Sequence, residues 1–172
     1  HCPTPSPLAP WPVLVDVPKN IQQQEGIADF DVTFDCPSYR PNVKPSILQC
    51  KKAAHTIQTS KRPIIYAGGG IISSGASAEL RAFVKKTGIP VTTTVMGLGA
   101  FPSNDPLSLR MLGMHGAVYA NIAINNADLV IAMGVRFDDR VTGKLAEFCK
   151  NAQIIHIDID PTEINKNILV DI

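Results

Sequence analysis

The chain has 172 residues, of which 45% are hydrophobic and 18% charged, and its 16 Lys+Arg against 15 Asp+Glu leave a formal charge of +1. This length and balance are typical of one globular domain with its own core. The near-neutral charge argues against a nucleic-acid partner, which needs a concentrated basic surplus. No apolar run reaches the about 18 to 20 residues of a membrane span, so no membrane partner is expected.

Cysteine chemistry gives no sign of a metal site. The four cysteines, at positions 2, 36, 50 and 149, form no C-x-x-C pair, and no histidine lies at metal-ligand spacing from them. We therefore expect neither a disulfide framework nor a zinc site, and we predict no metal ligand in this chain.

The amino-terminal quarter is irregular in pattern. The first twelve residues hold five of the fourteen prolines, which predicts an extended tail. Residues 12–18 (PVLVDVP) predict a short apolar strand closed by proline, and residues 19–44 are polar and without period, as in a linker.

From residue 45 onward, apolar strands alternate with helices. The predicted strands are RPIIYA at 62–67, PVTTTVM at 90–96, DLVIAM at 128–133 and QIIHIDI at 153–159. Helices are predicted from apolar spacing and capping residues at 47–57, 80–87 with a stop at Gly88, around 118–122, at 142–150 and at 161–167.

This alternation predicts an α/β fold, a three-layer doubly wound parallel sheet of about six strands. Ligands of such sheets bind at the carboxyl ends of the strands, near the point where the strand order reverses. The loops at 68–75, 97–116, 134–141 and 158–161 are therefore the candidates for function.

Three glycines, Gly68 to Gly70, follow the first of these strands. Glycines between a strand and a helix let the backbone approach a phosphate. The usual NAD fingerprint is not met, because Ser73 stands where its third glycine belongs and the next strand ends in threonines and Val95 instead of an acidic residue. A tight turn without a ligand is the alternative.

Two further loops carry polar chemistry. MLGMHG, at 111–116, precedes a helix and can form an anion site, with Met114 packing on a flat ring; alternatively Leu112 and Met114 belong to the core and His115 is solvated. GVRFDDRVTG, at 134–143, holds four charges in five positions. Its arginines suit phosphate or carboxylate, although a structural ion-pair cluster is the alternative. Asp158 is placed for ribose hydroxyls or as a helix cap.

Five sequence segments together resemble the large catalytic subunits of acetohydroxyacid synthases (acetolactate synthases): RPIIYAGGG, GIPVTTTVMGLGAFP, MLGMHG, ANIAINNADLVIAMGVRFDDRVTGKL and IIHIDIDPTEI. The resemblance runs from residue 12 to residue 172. It implies the Rossmann-like central, FAD-binding domain of a thiamine-diphosphate enzyme. The whole enzyme joins two 2-ketoacids, pyruvate with pyruvate or 2-ketobutyrate, and releases CO2 in branched-chain amino-acid biosynthesis.

The resemblance also implies the roles of individual residues. FAD, which has no net redox role, would be held by Arg40, Gly69, Thr94, Val95, Leu112, Gly113, Met114, His115, Gly134, Val135, Arg136, Phe137, Asp138, Asp158 and Ile159. Met114, Asp139 and Arg140 would face the substrate, and the arginine would select the second ketoacid. Thiamine diphosphate and Mg²⁺ would be bound by other domains, so no catalytic residue is expected in this chain.

The resemblance further implies the organisation of the chain. Residues 1–11 are interpreted as a foreign or doubtful tail, because the family reads Gly-Arg-Pro-Gly-Pro where this chain has APWP. Residues 12–43 would be the end of a preceding domain and a linker, and 44–172 the FAD-binding domain, cut before a further aspartate loop. Expected partners are flanking thiamine-diphosphate-binding domains, a second copy in a homodimer or homotetramer, and a regulatory small subunit. The expected location is the bacterial cytoplasm, or a plastid or mitochondrion in a eukaryote.

Two other interpretations compete with this one. A sirtuin-like NAD-dependent deacylase needs two C-x-x-C pairs and a catalytic histidine loop, which the sequence lacks. A structural middle domain of a related thiamine enzyme would leave the nucleotide cleft empty. A flavin absorption band distinguishes that last interpretation from FAD binding.

Overall fold

The computed structural model describes residues 14–27, 44–145 and 147–172, and the chain divides into two compact units, His1–Val43 and Lys44–Ile172. In the described part of the first unit, a single helical turn, α1 (Lys19–Gln22), follows Pro18. The strand predicted at 12–18 is wrong for residues 14–18. These residues are exposed and form no strand, and Leu14 alone is 92% exposed. Its first two residues and the tail at 1–11 lie outside the described residues.

The second unit alternates strands with helices along the chain. Its strands are β1 (Pro63–Ala67), β2 (Val91–Thr93), β3 (Ser108–Met111), β4 (Leu129–Met133) and β5 (Gln153–Ile157). Its helices are α2 (Ile47–Thr59), α3 (Gly69–Ser73), α4 (Ser77–Thr87), α5 (Val118–Asn125) and α6 (Asp139–Thr142), with a 3₁₀ turn at Val95–Gly97. The predicted stop of α4 is confirmed, because Gly88 ends it in the left-handed conformation.

All five strands are parallel, in the spatial order β3-β2-β1-β4-β5. The chain runs outward from β1 to β3 and then returns to the other side of β1 with β4, so the order reverses between these two strands. This is the doubly wound arrangement. The predicted α/β class is confirmed, with five strands in the described residues where the sequence predicts about six.

Each face of the sheet carries its own core, because successive side chains of a strand point to opposite faces. Ile64 and Tyr66 of β1 belong to one core, which α5 covers with Ala120 and Ile124. The alternate residues of β1 belong to the other core, together with Leu80 and Val84 of α4 and partly buried residues of α2. Helices therefore cover both faces, which gives the predicted three layers.

The segments at 108–111, 142–150 and 161–167 differ from the sequence prediction, each for a local reason. Strand β3 was not predicted because it is short, only partly buried and irregular in register, with Arg110 at φ 58°. The helix predicted at 142–150 is wrong, since α6 ends at Thr142 and Gly143 has a φ of 58°. The helix predicted at 161–167 is also wrong: this segment forms turns, and Asn165 has a φ of 61°.

Candidate functional site

The five parallel strands end at one side of the sheet, here called the carboxyl edge, and each strand is followed there by a loop. The loops are 68–70, whose last two residues begin α3, 94–97, which contains the 3₁₀ turn, and 112–116, 134–138 and 158–161. Every predicted ligand residue lies on one of these loops or at the start of α6, except Arg40, which lies outside the described residues. The structure therefore brings the sequence-predicted residues to a single edge.

The glycine turn, Gly68–Gly70, contacts the loop after β4 backbone to backbone. The Gly70 N–H donates to the Gly134 carbonyl at 3.1 Å, and the Gly68 N–H donates to the Met133 carbonyl at 2.9 Å. A Cβ atom added at Gly70 would lie 2.6 Å from the Gly134 Cα. Gly134 itself has a φ of 61°, a conformation that other residues adopt at a cost. Both positions therefore require glycine so that the two loops can touch.

The loop after β2 lies beside the glycine turn. The Thr94 N–H donates to the Ala67 carbonyl at 3.0 Å, and the Thr94 hydroxyl caps the 3₁₀ turn by accepting from the Gly97 N–H at 2.9 Å. This turn places Val95 and Met96 at the surface, where they are 64% and 71% exposed. The carboxyl edge thus presents apolar side chains next to bare glycine backbone.

The loop after β3 combines a buried anchor with exposed residues. Leu112 is 2% exposed, so it belongs to the core and can offer a ligand only its main chain, whereas Met114 is 71% exposed. His115 is exposed as well. The Met114 N–H donates to the Arg140 carbonyl at 3.1 Å, which joins two of the three residues predicted to face the substrate.

The segment 134–140 is called the arginine–aspartate loop below. Val135 and Phe137 are each 2% exposed, so their side chains are anchors and only their main chain can meet a ligand. The Phe137 ring lies 5.7 Å from the Tyr66 ring and 5.2 Å from the His156 ring, centroid to centroid. Phe137 has a φ of 49°, which is uncommon for a residue other than glycine.

The charged side chains of this loop remain at the surface. The Arg136 guanidinium lies 3.7 Å from the Asp138 carboxylate, and these side chains are 62% and 47% exposed. Such an exposed pair contributes only about 0 to 1 kcal/mol, so the guanidinium stays available to an anionic ligand. The pKa of Asp138 is lowered, first by a hydrogen bond with the Asp139 carboxyl and then by the Arg140 N–H, 3.1 Å away.

At the end of β5, two side chains lie close together. The Asp158 side chain is 11% exposed and accepts a hydrogen bond from the Asp160 N–H at 2.9 Å, so it caps a turn and not the helix predicted at 161–167. His156 is buried; its Nε2 lies 2.9 Å from the Val135 carbonyl and 3.8 Å from the Asp158 carboxylate. Ile159 is 41% exposed.

Three residues that hold these loops were not singled out from the sequence. Asn121 binds both peptide groups of Gly113, accepting from its N–H at 2.8 Å and donating to its carbonyl at 3.0 Å. His156 engages the arginine–aspartate loop as described, and the Asn167 amide donates to two carbonyls of the same loop. No local pattern reveals these partners, which lie 8 to 31 residues from the groups they bind.

A cavity of about 360 Å³ opens beside the arginine–aspartate loop. It is lined by Arg136, Phe137, Asp138 and Asp139 together with residues of 142–145 and 163–167, and the glycine turn does not line it. Within the described ranges, no group of three or more His, Cys, Asp or Glu side chains could hold a metal ion. No described helix is long and apolar enough to cross a membrane.

The sheet order and the carboxyl edge define a class of protein, a doubly wound α/β domain whose glycine-bearing loops meet where the strand order reverses. Domains of this class commonly bind nucleotide cofactors at this edge. Comparison with known families makes this more specific. Residues 50–172 match the model of the thiamine pyrophosphate enzyme central domain. The chain belongs to this family, which confirms the resemblance seen in the sequence.

Curated relatives agree with this assignment. The chain is 58% identical over 160 residues to acetolactate synthase 1, chloroplastic, of Oryza sativa subsp. japonica, covering 92% of this chain and 24% of that protein. It is 56% identical to acetolactate synthase 1 of Zea mays, covering 92% and 25%, and 52% identical to the acetolactate synthase of Arabidopsis thaliana, covering 92% and 24%. The chain thus spans about a quarter of the length of these relatives.

Proposed function

We propose that this chain contributes the central, FAD-binding domain of an acetolactate synthase. The whole enzyme would condense pyruvate with pyruvate or 2-ketobutyrate and release CO2 in branched-chain amino-acid biosynthesis. The observation that carries the proposal is the identity of 52% to 58% over 92% of the chain to acetolactate synthases. The meeting of all the described candidate residues at one sheet edge supports it.

FAD suits the residues that the carboxyl edge presents. The glycine turn offers main chain with no side chains in the way, and Arg136 offers a guanidinium that is 62% exposed for the pyrophosphate. Thr94, Val95 and Met114 flank these groups, and Asp158 and Ile159 close the far end. In this enzyme class FAD supplies no net electron transfer. The residues of this chain would bind and orient it, with Val135, Phe137 and Leu112 contributing main chain only.

Met114, Asp139 and Arg140 would face the ketoacid substrate. All three are exposed, and the hydrogen bond from Met114 to Arg140 fixes the backbone of one against the other. A guanidinium pairs well with a carboxylate, so Arg140 would hold the second ketoacid. Thiamine diphosphate and Mg²⁺ would be bound by the flanking domains, and this chain would supply no catalytic group.

The proposal extends to organisation and location. Residues 12–43 would end a preceding domain and form the linker, and residues 44–172 would form the FAD-binding domain. Partners would be the flanking thiamine-diphosphate-binding domains, a second copy of the chain in a dimer or tetramer, and a regulatory small subunit. Since the cited relatives carry chloroplastic in their names, the enzyme would act in a plastid.

The test uses the full-length protein that contains this chain. Purified protein is expected to show a flavin absorption band and to form acetolactate from pyruvate with thiamine diphosphate and Mg²⁺. Arg140→Ala should change the product ratio when pyruvate and 2-ketobutyrate compete and should leave the flavin band intact. Arg81→Ala, which removes an exposed arginine of α4, serves as the matched control and should change neither. Loss of flavin with unchanged product ratios would refute the role given to Arg140, and colourless wild-type protein would refute FAD binding.

A further inference from the structure

Three consecutive carbonyls of the arginine–aspartate loop are bound by side chains from outside it. His156 Nε2 lies 2.9 Å from the Val135 carbonyl. The Asn167 Nδ2 donates to the Arg136 carbonyl at 3.0 Å and to the Phe137 carbonyl at 3.2 Å. Side chains from outside the loop therefore hold its residues 135–137.

A loop in this conformation needs such support. Phe137 has a φ of 49°, which is sterically unfavourable for an L-residue. Burial of its ring fixes the side chain, and the Asn167 amide fixes the two peptide groups on either side of the residue. Both N–H groups of one short amide are well suited to adjacent carbonyls, because the primary amide carries two donors.

The charged side chains at the centre of the loop lie at the surface. The Arg136 and Asp138 side chains emerge at the surface, 62% and 47% exposed. No described residue accepts a hydrogen bond from the N–H of Arg136, Phe137 or Asp138. With these three carbonyls held by Asn167 and His156, the Arg136 guanidinium and the N–H groups are donors that suit an anionic ligand, and the Asp138 carboxylate is an acceptor beside them.

Asn167 lies within a turn that a hydrogen bond between Asn165 and Val170 closes. Asn165, at φ 61°, accepts a hydrogen bond from the Val170 N–H at 2.9 Å through its Oδ1. Asn165 therefore works through its acceptor oxygen and Asn167 through its donor nitrogen. Both side chains are exposed and they lie two residues apart.

We propose that Asn167 is a positioning residue for the FAD-binding loop: its amide holds the arginine–aspartate loop so that the Arg136 side chain and the neighbouring N–H groups face the FAD pyrophosphate. This inference rests on the proposed function, since the ligand it names is FAD. It predicts that removing the amide donor weakens FAD binding without unfolding the domain.

The two asparagines offer a matched pair of substitutions in the full-length protein. Asn167→Asp keeps the shape of the side chain and removes both donors, whereas Asn165→Asp keeps the oxygen that the structure uses. Both add one negative charge, at positions two residues apart. We expect FAD to bind Asn167→Asp about tenfold more weakly than wild type and Asn165→Asp as wild type, because a lost pair of hydrogen bonds in a strained loop has this order of effect. Fluorescence titration of FAD-stripped protein measures the FAD affinity. The thermal midpoints of the two variants, measured without FAD, should match.

Each outcome decides the matter. Equal weakening in both variants would show that the added charge is responsible and would overturn the inference, as would wild-type affinity in Asn167→Asp. If Asn167→Asp does not fold, Asn167→Ala, which removes the donors without adding charge, is expected to weaken FAD binding severalfold, and unchanged binding overturns the inference. If wild-type protein binds no FAD, the proposed function is refuted, but the role of Asn167 in holding the loop can still be tested. That role predicts faster hydrogen exchange of the peptide at 134–143 in Asn167→Asp and not in Asn165→Asp.

Discussion

The glycine turn and the arginine–aspartate loop touch each other where the strand order reverses, between β1 and β4, yet different kinds of contact hold them in place. The glycine turn carries no side chains and is held by main-chain hydrogen bonds to Met133 and Gly134. The arginine–aspartate loop carries four charges and is held by side chains, among them the buried Phe137 ring and the Asn167 amide. In the proposed site, the first loop would allow close approach of FAD and the second would supply charged groups, so substitutions in the two loops should have different effects.

The largest effect is expected where the two loops meet. Gly134→Ala would combine a φ of 61° with a Cβ that lies 2.6 Å from the Gly70 Cα, so the backbone must move. We expect a loss of about 2 to 4 kcal/mol in the free energy of unfolding, measured by urea denaturation of the chain. Gly75→Ala is the control, because Gly75 has a φ of 71° and nothing within 4 Å of an added Cβ. Its loss should be about 1 to 2 kcal/mol, the cost of the left-handed conformation alone. Equal losses would mean that the contact between the loops is not tight.

A smaller effect is expected at the opposite, amino end of the strands, where Asp128 joins the segment between α2 and β1. Its carboxylate accepts hydrogen bonds from the Ser60 hydroxyl and from the N–H groups of Lys61 and Arg62, at 2.8 and 2.9 Å for the last two. Asp128→Asn places an amide donor against these donors and should cost about 1 to 2 kcal/mol in the free energy of unfolding. In the full-length protein, FAD affinity should not change, since this site lies at the other end of the sheet.

The pH dependence of that loss follows from the pKa of Asp128. Burial acts to raise the pKa, but the hydrogen bonds outweigh it and hold the pKa below its ordinary value of 3.8. A carboxyl whose pKa is lower in the folded state stabilises the fold above its ordinary pKa and loses this effect as pH falls through the folded value. The difference between wild type and Asp128→Asn, measured by urea denaturation, should therefore be full at pH 6 and shrink below pH 3.8. A difference that grows in acid would contradict the hydrogen-bonding role.

Sequence reasoning reached the glycine turn and the charged loop because both are local. Consecutive glycines after an apolar run, and charges directly after a buried strand, are visible without knowing any other part of the chain. The supports of these loops are not local: Asn167 binds carbonyls 30 and 31 residues away, and Asn121 binds a glycine 8 residues away. Asparagine in a polar segment gives no sign of such a partner.

Strand β3 and the two wrong helices have a similar explanation. Residues 108–111 contain no apolar run, so only pairing with β2 makes them a strand. The segments at 142–150 and 161–167 have helical spacing, but positive φ angles at Gly143 and Asn165 interrupt it. Backbone conformation of this kind depends on tertiary contacts more than on the residue type alone.

Hydrogen exchange of the full-length protein, with and without FAD, tests the central claim most directly, because it reports which backbone segments the cofactor covers. We predict slower exchange in the presence of FAD at 68–71, 94–97, 112–116 and 134–138, on the carboxyl edge. The loops at the amino ends of the strands, at 60–62, 88–90 and 126–128, should not change. Slowing confined to the amino-end loops, or no slowing at the carboxyl edge while FAD is bound, would contradict the account.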